Sequence, residues 1–281
     1  MSTLVVTGYA SLDYVMGLSG QIAGDRTTIA DHRDPDAWPR LGGCPAYVAM
    51  AAANAGETAY AVTWIGGGAD GKFYTNQLYD NDVRIDGVAM LDGRPTPSAV
   101  LAYQADGTCA CLFDPALAGE ERLNQAQRDL IRASTHLCIS VGPPHLMQEI
   151  LSLRPDGARL YCVLKSDLNC FTPAVLEALS PQADVIFCNA SERSLIGKVG
   201  SSAIVVETNG PNGVRVCGQG IDTVVPVSAV DARDTTGAGD TLAGAYIAAE
   251  MSGQTNPVAA ATTGIEEVAA LLRQRLSRRR L

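Results

Sequence analysis

The sequence predicts an α/β fold in which helices cover both faces of a central, mostly parallel β-sheet. From residue 124 onward, short apolar runs alternate with longer helical stretches, which is the βαβ pattern of a parallel sheet. The composition agrees, because 47% of the residues are hydrophobic and only 5% are aromatic, so small side chains allow helices to pack closely on a sheet. With 281 residues, the chain is expected to form one domain, residues 1–281.

The individual elements are predicted from apolar patterns and from the signals at their ends. A buried strand is expected at residues 4–7, and a helix over 45–54 has proline at its start and Gly56 past its end. An apolar strand at 59–65 and a helix at 72–79 follow. Further strands are predicted at 136–141, 160–164, 184–188, 203–206, 213–217 and 223–230, and further helices at 125–133, 144–153, 173–179, 238–250 and 257–276.

Two separated segments, about 10–41 and 95–113, contain strand patterns without covering helices. The second segment predicts a hairpin, because alternating runs at 98–104 and 108–113 flank an Asp-Gly turn signal at 106–107. We expect these strands to form a small β layer outside the main sheet.

Charge and cysteine content bound the function. The net charge of −9 argues against nucleic acid as the main partner, because proteins that bind nucleic acids present basic surfaces. None of the eight cysteines belongs to a Cys-x-x-Cys pair, and no signal peptide or apolar run of membrane-spanning length is visible. We therefore expect a reduced, cytoplasmic protein without a membrane partner.

The C-terminal segment is rich in arginine. It predicts either a frayed helix end whose cations complement the helix dipole, or a targeting or binding segment. The arginines concerned are Arg273, Arg275, Arg278, Arg279 and Arg280.

The most informative segment reads DTTGAGD at residues 234–240. A strand that enters a glycine turn and then a helix leaves free N–H groups at the helix start, where the helix dipole also attracts an anion. A carboxylate beside such a site suits a base that takes a proton from a hydroxyl while the N–H groups hold a phosphoryl group in transfer. The alternative is that Asp234 or Asp240 only caps a helix.

This string resembles the second signature of the ribokinase (PfkB) family of carbohydrate kinases, Asp-Thr-x-Gly-Ala-Gly-Asp, at every fixed position. The resemblance implies a ribokinase-like fold, in which a two-piece lid covers the sugar site and often pairs two subunits into a homodimer. It implies Asp240 as the catalytic base and substrate contact. It also implies an anion hole formed by Gly237, Ala238 and Gly239, of which Gly239 also contacts the nucleotide. Asp234 and Thr236 are implied as ligands of a potassium ion.

Two further features resemble the family's substrate site. Gly42 and Gly43 open a predicted helix and are similar to the first signature, Gly-Gly-x-x-x-Asn-x-Ala, although Tyr47 stands in place of the asparagine. Asp13 stands where the family has an aspartate that accepts hydrogen bonds from substrate hydroxyls, and a carboxylate can accept two at once. Alternatively, the glycines form only a tight turn and Asp13 satisfies nearby N–H groups of a loop.

The nucleotide site is implied by two more matches. Asn189 and Glu192 match an Asn-x-x-Glu motif that organises Mg²⁺ and its waters in the family, and Mg²⁺ usually keeps several waters. The same spacing also predicts a capping box. Thr208, Gly210 and Gly213 resemble a Thr-x-Gly-x-x-Gly motif that runs along the nucleotide, although Asn-Gly equally signals an ordinary hairpin turn.

Together, the ordered motifs imply an ATP-dependent kinase that phosphorylates a hydroxyl of a small sugar, with ATP and Mg²⁺ as cofactors and potassium as a further candidate. Lys165, which follows a predicted strand, could screen phosphate charge. Two alternatives stay open: Tyr47 could stack on a base, making the acceptor a nucleoside, or the chain could be a non-catalytic sugar or nucleotide sensor. The sequence does not identify the sugar, and Arg26, Arg33 and Arg40 are candidates to hold an acceptor that already bears a phosphate.

Overall fold

The computed structural model describes residues 2–33, 37–117, 119–232 and 234–278, with only the backbone of Arg278. Arg279 and Arg280, predicted above to belong to the basic C-terminal segment, lie outside the described residues. The elements are β1 (Leu4–Thr7), β2 (Ser11–Leu18), β3 (Ala30–Arg33), β4 (Arg40–Gly42), α1 (Cys44–Asn54), β5 (Ala59–Gly66), α2 (Ala69–Asp80), β6 (Val88–Leu91), β7 (Ser98–Tyr103), β8 (Cys109–Asp114), α3 (Gln125–Ala133), β9 (His136–Ile139), α4 (Met147–Leu153), β10 (Arg159–Val163), α5 (Pro173–Leu179), β11 (Val185–Asn189), β12 (Ile204–Thr208), β13 (Val214–Gly218), β14 (Ile221–Val225), α6 (Ala238–Met251) and α7 (Pro257–Arg278).

The main sheet has nine strands within the described ranges, in the order β14-β13-β12-β11-β10-β9-β1-β5-β6. The seven strands from β12 to β6 run parallel to their neighbours, while β13 and β14 form an antiparallel edge. The predicted mostly parallel sheet is therefore confirmed. The short strands β4 and β6 were not predicted, because three or four residues carry too little periodicity to recognise.

Helices pack on both faces of this sheet. In β1, Leu4 and Val6 belong to one hydrophobic cluster with α1 and α6, while Val5 belongs to a second cluster with α3, α4 and α5. Successive strand residues point to opposite faces, so this alternation confirms the predicted helical cover on both sides. Helices α1 and α6 are in close contact, since a Cβ at Gly244 would overlap the backbone carbonyl of Val48. This contact fixes the two helix N-termini relative to each other.

A second, smaller sheet, here called the small sheet, consists of β2, β3, β4, β7 and β8 in the described residues. Its strands β2 and β7 pair in parallel and the other pairs are antiparallel. The predicted hairpin is confirmed as β7 and β8, with Gly107 at a φ of 84° in the turn between them. The small sheet occupies almost the same two segments, 10–41 and 95–113, for which the sequence predicts a small β layer.

The cysteines are all free thiols, and Cys138, Cys162 and Cys188 are buried on strands of the main sheet. No helix within the described part of the chain is long and apolar enough to span a membrane.

Candidate functional site

The predicted site residues lie along the carboxyl edge of the main sheet, where open α/β sheets bind ligands. Lys165 follows β10, Asn189 ends β11 and Thr208 ends β12. Helices α1 and α6 begin at Cys44 and Ala238, directly after the glycines of the two motifs. Five separate chain segments therefore meet at this edge.

A cavity of about 480 Å³ lies at this edge, and all six residues predicted to contact a nucleotide line it. Those residues are Asn189, Glu192, Thr208, Gly210, Gly213 and Gly239. An apolar wall from α7 completes it with Ile265, Val268, Ala269 and Leu272. This wall was not predicted from the sequence, although the i, i+3, i+4, i+7 spacing of its residues is the periodicity of a helix face.

Asn189 and Glu192 form the reciprocal hydrogen bonds of a capping box. The N–H of Glu192 donates to Asn189 Oδ1 at 2.9 Å, and the N–H of Asn189 donates to Glu192 Oε2 at 2.7 Å. The second carboxylate oxygen of Glu192 accepts the N–H of Ser166 at 3.2 Å. The buried glutamate is therefore fixed by the backbone and connects the ends of β10 and β11 below the cavity.

The first turn of α6 carries free backbone donors. Gly237 takes the left-handed conformation with φ 74°, and a Cβ there would lie 2.7 Å from the ring of Tyr47. The N–H of Ala238 donates to Thr235 at 3.0 Å, so it serves the turn. The N–H groups of Gly237, Gly239 and Asp240 have no acceptor among the described residues, which makes them the donors that can meet an anion.

Asp240 is buried beside the cavity and is only 5% exposed. Lys165 Nζ lies 3.1 Å from Asp240 Oδ1 in an ion pair, although the alignment is not that of a hydrogen bond. Burial opposes the charge of Lys165, but Asp240 outweighs it and raises the pKa of the lysine above its ordinary value. Lys165 lines the cavity, whereas Asp240 does not, so the lysine connects the carboxylate to the cavity.

Asp13 lies on β2 and is 4% exposed. Its Oδ1 accepts a hydrogen bond from Ser11 Oγ at 2.6 Å. A Cβ at Gly42 would overlap the carboxylate of Asp13, and a Cβ at Gly43 would lie 2.5 Å from the carbonyl oxygen of Tyr9. Gly42 is therefore required by its close contact with Asp13, and Gly43 by its φ of 87° and its close contact with the backbone of Tyr9.

The pKa of Asp13 is raised from 3.8 to about 6, chiefly by burial. The hydrogen bond from Ser11 and the charge of Arg40 oppose the increase, while the charges of Asp240 and Asp234 add to it. Asp13 is therefore held in a site that disfavours its ionised form until a donor arrives.

We expect Asp13→Asn to stabilise the fold at neutral pH. A folded-state pKa above the ordinary value means that stability is lost as pH rises from about 4 to about 6, which amounts to ~3 kcal/mol for a change of this size. The gain in the free energy of unfolding should be full at pH 7 and absent below about pH 4. Urea titrations of both proteins across this range measure it, and an equal gain at all pH values would contradict the assignment.

Asp234 forms the second charged centre of the site. Arg40 Nη1 lies 2.7 Å from Asp234 Oδ2, and Arg275 Nη1 lies 3.6 Å from Asp234 Oδ1. Burial would raise the pKa of Asp234, but the hydrogen bond and charge of Arg40, with the charge of Arg275, lower it to about 2. Thr236 follows in the same turn, and its Oγ1 is 2.8 Å from the hydroxyl of Tyr103 on β7. Arg40 and Tyr103 thus connect the small sheet to the turn before α6.

Tyr47 is 7% exposed, and its hydroxyl has no hydrogen-bond partner in the described residues. Its ring packs against Gly237, and Arg275 Cζ lies 6.0 Å from the ring centroid. The ring therefore offers no open face for stacking on a base, which was the role that made a nucleoside acceptor an alternative. Its position, one turn into α1, instead supports the glycine turn of α6.

Two of the arginines have partners that the sequence did not predict. Arg275 was expected either in a frayed helix end or in a targeting or binding segment, but its side chain is largely buried against Asp234 and Thr236. Arg40 was considered for an acceptor phosphate, yet it forms an ion pair with Asp234, and its Nε and Nη2 lack partners within the described ranges. No local pattern signals either contact, because the partners are far apart in the chain.

Comparisons with known proteins identify the family. The family described as pfkB family carbohydrate kinase matches residues 1–275. A nucleoside kinase from Methanothermobacter thermautotrophicus is 22% identical over 272 residues, which cover 89% of this chain and 83% of that protein.

Solved structures show the same fold. A ribokinase from Cryptococcus neoformans in complex with ADP has a TM-score of 0.80 at 21% identity, covering 94% of this chain and 92% of its own. A nucleoside kinase from Burkholderia thailandensis in complex with inosine has a TM-score of 0.75 at 19% identity, covering 95% and 91%. The fold is thus ribokinase-like, as the sequence predicts, and the expected enzyme class, an ATP-dependent kinase, is confirmed at the level of the family. With the family match over nearly the whole length and the glycine turn, buried aspartate and cavity in place, the chain belongs to the pfkB family of carbohydrate kinases.

Proposed function

We propose that this protein transfers the γ-phosphoryl group of ATP to a hydroxyl of a small sugar, with Asp240 as the general base. One observation carries the proposal: a buried carboxylate lies in the first turn of α6, beside N–H groups without acceptors and next to a cavity. Helix capping alone does not require a buried carboxylate paired with a lysine.

In this reaction, Asp240 orients the acceptor hydroxyl and takes its proton. The N–H groups of Gly237, Gly239 and Asp240 stabilise negative charge on the transferred group. Such positioning and electrostatic stabilisation supply most of the rate enhancement in phosphoryl transfer. Of the predicted anion hole, Ala238 contributes by shaping the turn, because its N–H donates to Thr235.

Mg²⁺, when bound with the nucleotide, neutralises phosphate charge. Asn189 and Glu192 fit an indirect role, since both line the cavity and their oxygens can accept hydrogen bonds from metal-bound water. The described residues contain no cluster of three or more histidine, cysteine or acidic side chains arranged to hold a metal ion. The ion would therefore be held mainly through phosphate and water.

Lys165 is placed to exchange partners during the reaction. It lies 3.1 Å from Asp240 Oδ1 and also lines the cavity that would receive the phosphates. An incoming phosphate would draw the ammonium away and leave the carboxylate free to accept a proton. Before substrates bind, Lys165 is thus the charged partner of Asp240.

We expect Lys165→Met to lower kcat on the order of 100-fold and to raise KM for ATP, because a charge that meets the transferred group is lost. Steady-state kinetics with varied ATP measure both constants. Lys198→Met is the matched control, since Lys198 is exposed. Equal kcat values for the two variants would contradict the role of Lys165.

Asp13 is the residue that favours a sugar as acceptor. Its carboxylate can accept two hydroxyl hydrogen bonds, and its burial beside Gly42 suits a small polyol. A nucleoside remains the second candidate, since the Methanothermobacter relative is described as a nucleoside kinase.

The small sheet would act as the lid over the acceptor and as the surface of a homodimer. Leu112 on β8 supports this pairing, because it is an exposed apolar side chain of that sheet.

A panel of acceptors with purified protein, ATP and Mg²⁺ tests the function. It should include ketohexoses, pentoses, sugar acids, sugar phosphates and nucleosides, with ADP release as the readout. Acceptor-dependent ADP release supports a kinase and names the substrate class. Binding of ATP without turnover of any acceptor would instead support the sensor.

A further inference from the structure

Three oxygen atoms converge in the turn that precedes α6. They are the carbonyl oxygen of Asp234, the carbonyl oxygen of Thr236 and Asp234 Oδ1. One nitrogen, Arg275 Nη1, lies 3.5 Å, 2.7 Å and 3.6 Å from them, respectively. The family resemblance assigned Asp234 and Thr236 to a potassium ion.

Arg275 reaches this turn from the C-terminal part of α7. Its side chain is only 13% exposed, and its guanidinium lies over the ring of Tyr47. The aromatic face and the three oxygens together favour a cation at this point. Because a guanidinium cannot be deprotonated in proteins, its charge is permanent.

Potassium does not fit these residues. An ion among the same oxygens would lie against a fixed positive charge that already donates a hydrogen bond to one of them at 2.7 Å. The remaining carboxylate oxygen, Asp234 Oδ2, is taken by Arg40 at 2.7 Å. The negative charge of Asp234 is therefore already balanced from both sides by the protein itself.

We propose that Arg275 is a tethered cation that replaces a bound monovalent cation, so that this kinase works without potassium. Arg275 is a positioning residue and does not contact the reacting groups. By holding the carbonyl oxygens of Asp234 and Thr236, it fixes the turn that orients Gly237 and the free N–H groups of α6. The expected effect on kcat rests on the proposed phosphotransfer, whereas the expected effect on the stability of the turn does not.

The unmodified protein gives the first test. Phosphotransfer should proceed at the same rate in potassium chloride and in choline chloride of equal ionic strength. The melting temperature should likewise be the same in the two salts. A requirement for potassium, or a melting temperature raised by potassium alone, would overturn the proposal without any variant.

Arg275→Ala gives the second test, with Arg273→Ala as its matched control. Arg273 is exposed on the same helix, so both variants lose one positive charge. In choline chloride, Arg275→Ala should lose on the order of 10- to 100-fold in kcat, the scale of a misplaced catalytic group. Added guanidinium or potassium should restore part of the loss, and Arg273→Ala should respond to neither.

Thermal unfolding separates this inference from the proposed function. Potassium should raise the melting temperature of Arg275→Ala above its value in choline chloride, while the control should show no difference. If the melting temperatures follow this pattern but the protein phosphorylates no acceptor, the result contradicts the proposed function and still supports the tethered cation. A variant with full activity and a salt-insensitive melting temperature would overturn the tethered cation alone. If Arg275→Ala folds in potassium chloride but not in choline chloride, the result supports the proposal. If it folds in neither salt, Arg275→Lys decides. A lysine variant that behaves as the parent supports the proposal, and a lysine variant that fails to fold overturns it.

Discussion

Asp240→Asn is expected to lower kcat by about 10²–10⁴-fold, the usual contribution of a positioned general base. The amide keeps the shape of the side chain but cannot accept the proton of the acceptor hydroxyl. Because the N–H groups of Gly237 and Gly239 remain in place, the KM for ATP should change little. Steady-state kinetics with saturating acceptor measure the loss.

Asp70→Asn is the control for the capping interpretation. Asp70 also lies in the first turn of a helix, α2, but it is exposed. Loss of charge near a helix N-terminus should cost each variant about 0.3–1 kcal/mol of stability, and loss of the ion pair with Lys165 adds to that cost for Asp240→Asn. If Asp240→Asn retains the parental kcat, as the control is expected to do, Asp240 is a helix cap and not a base.

Gly42→Ala is the second change with a large expected effect. Its Cβ would overlap the carboxylate of Asp13, which is buried and has little room to move. We expect a loss of about 1–3 kcal/mol in the free energy of unfolding from overpacking. Displacement of Asp13 should also raise KM for the acceptor by about tenfold or more.

A double variant shows whether the clash with Asp13 causes both losses. In Gly42→Ala combined with Asp13→Ala the carboxylate is gone, so stability should return while the acceptor KM stays high. Gly197→Ala is the matched control, because a Cβ there meets no atom within 4 Å. A double variant as unstable as Gly42→Ala alone would show that the glycine serves the backbone instead.

Most elements could be predicted because their patterns are local. The helices at Gln125–Ala133 and Pro173–Leu179 were predicted at their exact ends, since Asn124 and Thr172 provide N-cap signals. Helix α2 begins three residues before its predicted start, because Ala69 to Gly71 carry no apolar periodicity. The strands β4 and β6 are defined by pairing with neighbours more than by their own residues.

In the candidate site, too, local motifs could be predicted from the sequence and contacts between distant segments could not. The sequence predicted six residues for a nucleotide site, and one cavity brings all six together. It did not predict that Lys165 pairs with Asp240, that the N–H of Ala238 is already used, or that Tyr47 is buried under Gly237. Each of these facts depends on contact between distant segments.

The sequence by itself determined the fold class, the family and the glycine turn that ends in Asp240. These follow from periodicity and from a short motif whose backbone conformation is local, as the φ of 74° at Gly237 illustrates. Only the tertiary structure decided the charges around that turn. Arg40 reaches Asp234 across 194 positions of the chain and Arg275 reaches it across 41, and packing of the small sheet and α7 brings them there. An ion pair of that kind leaves no local pattern, because either arginine alone looks like a solvated surface residue.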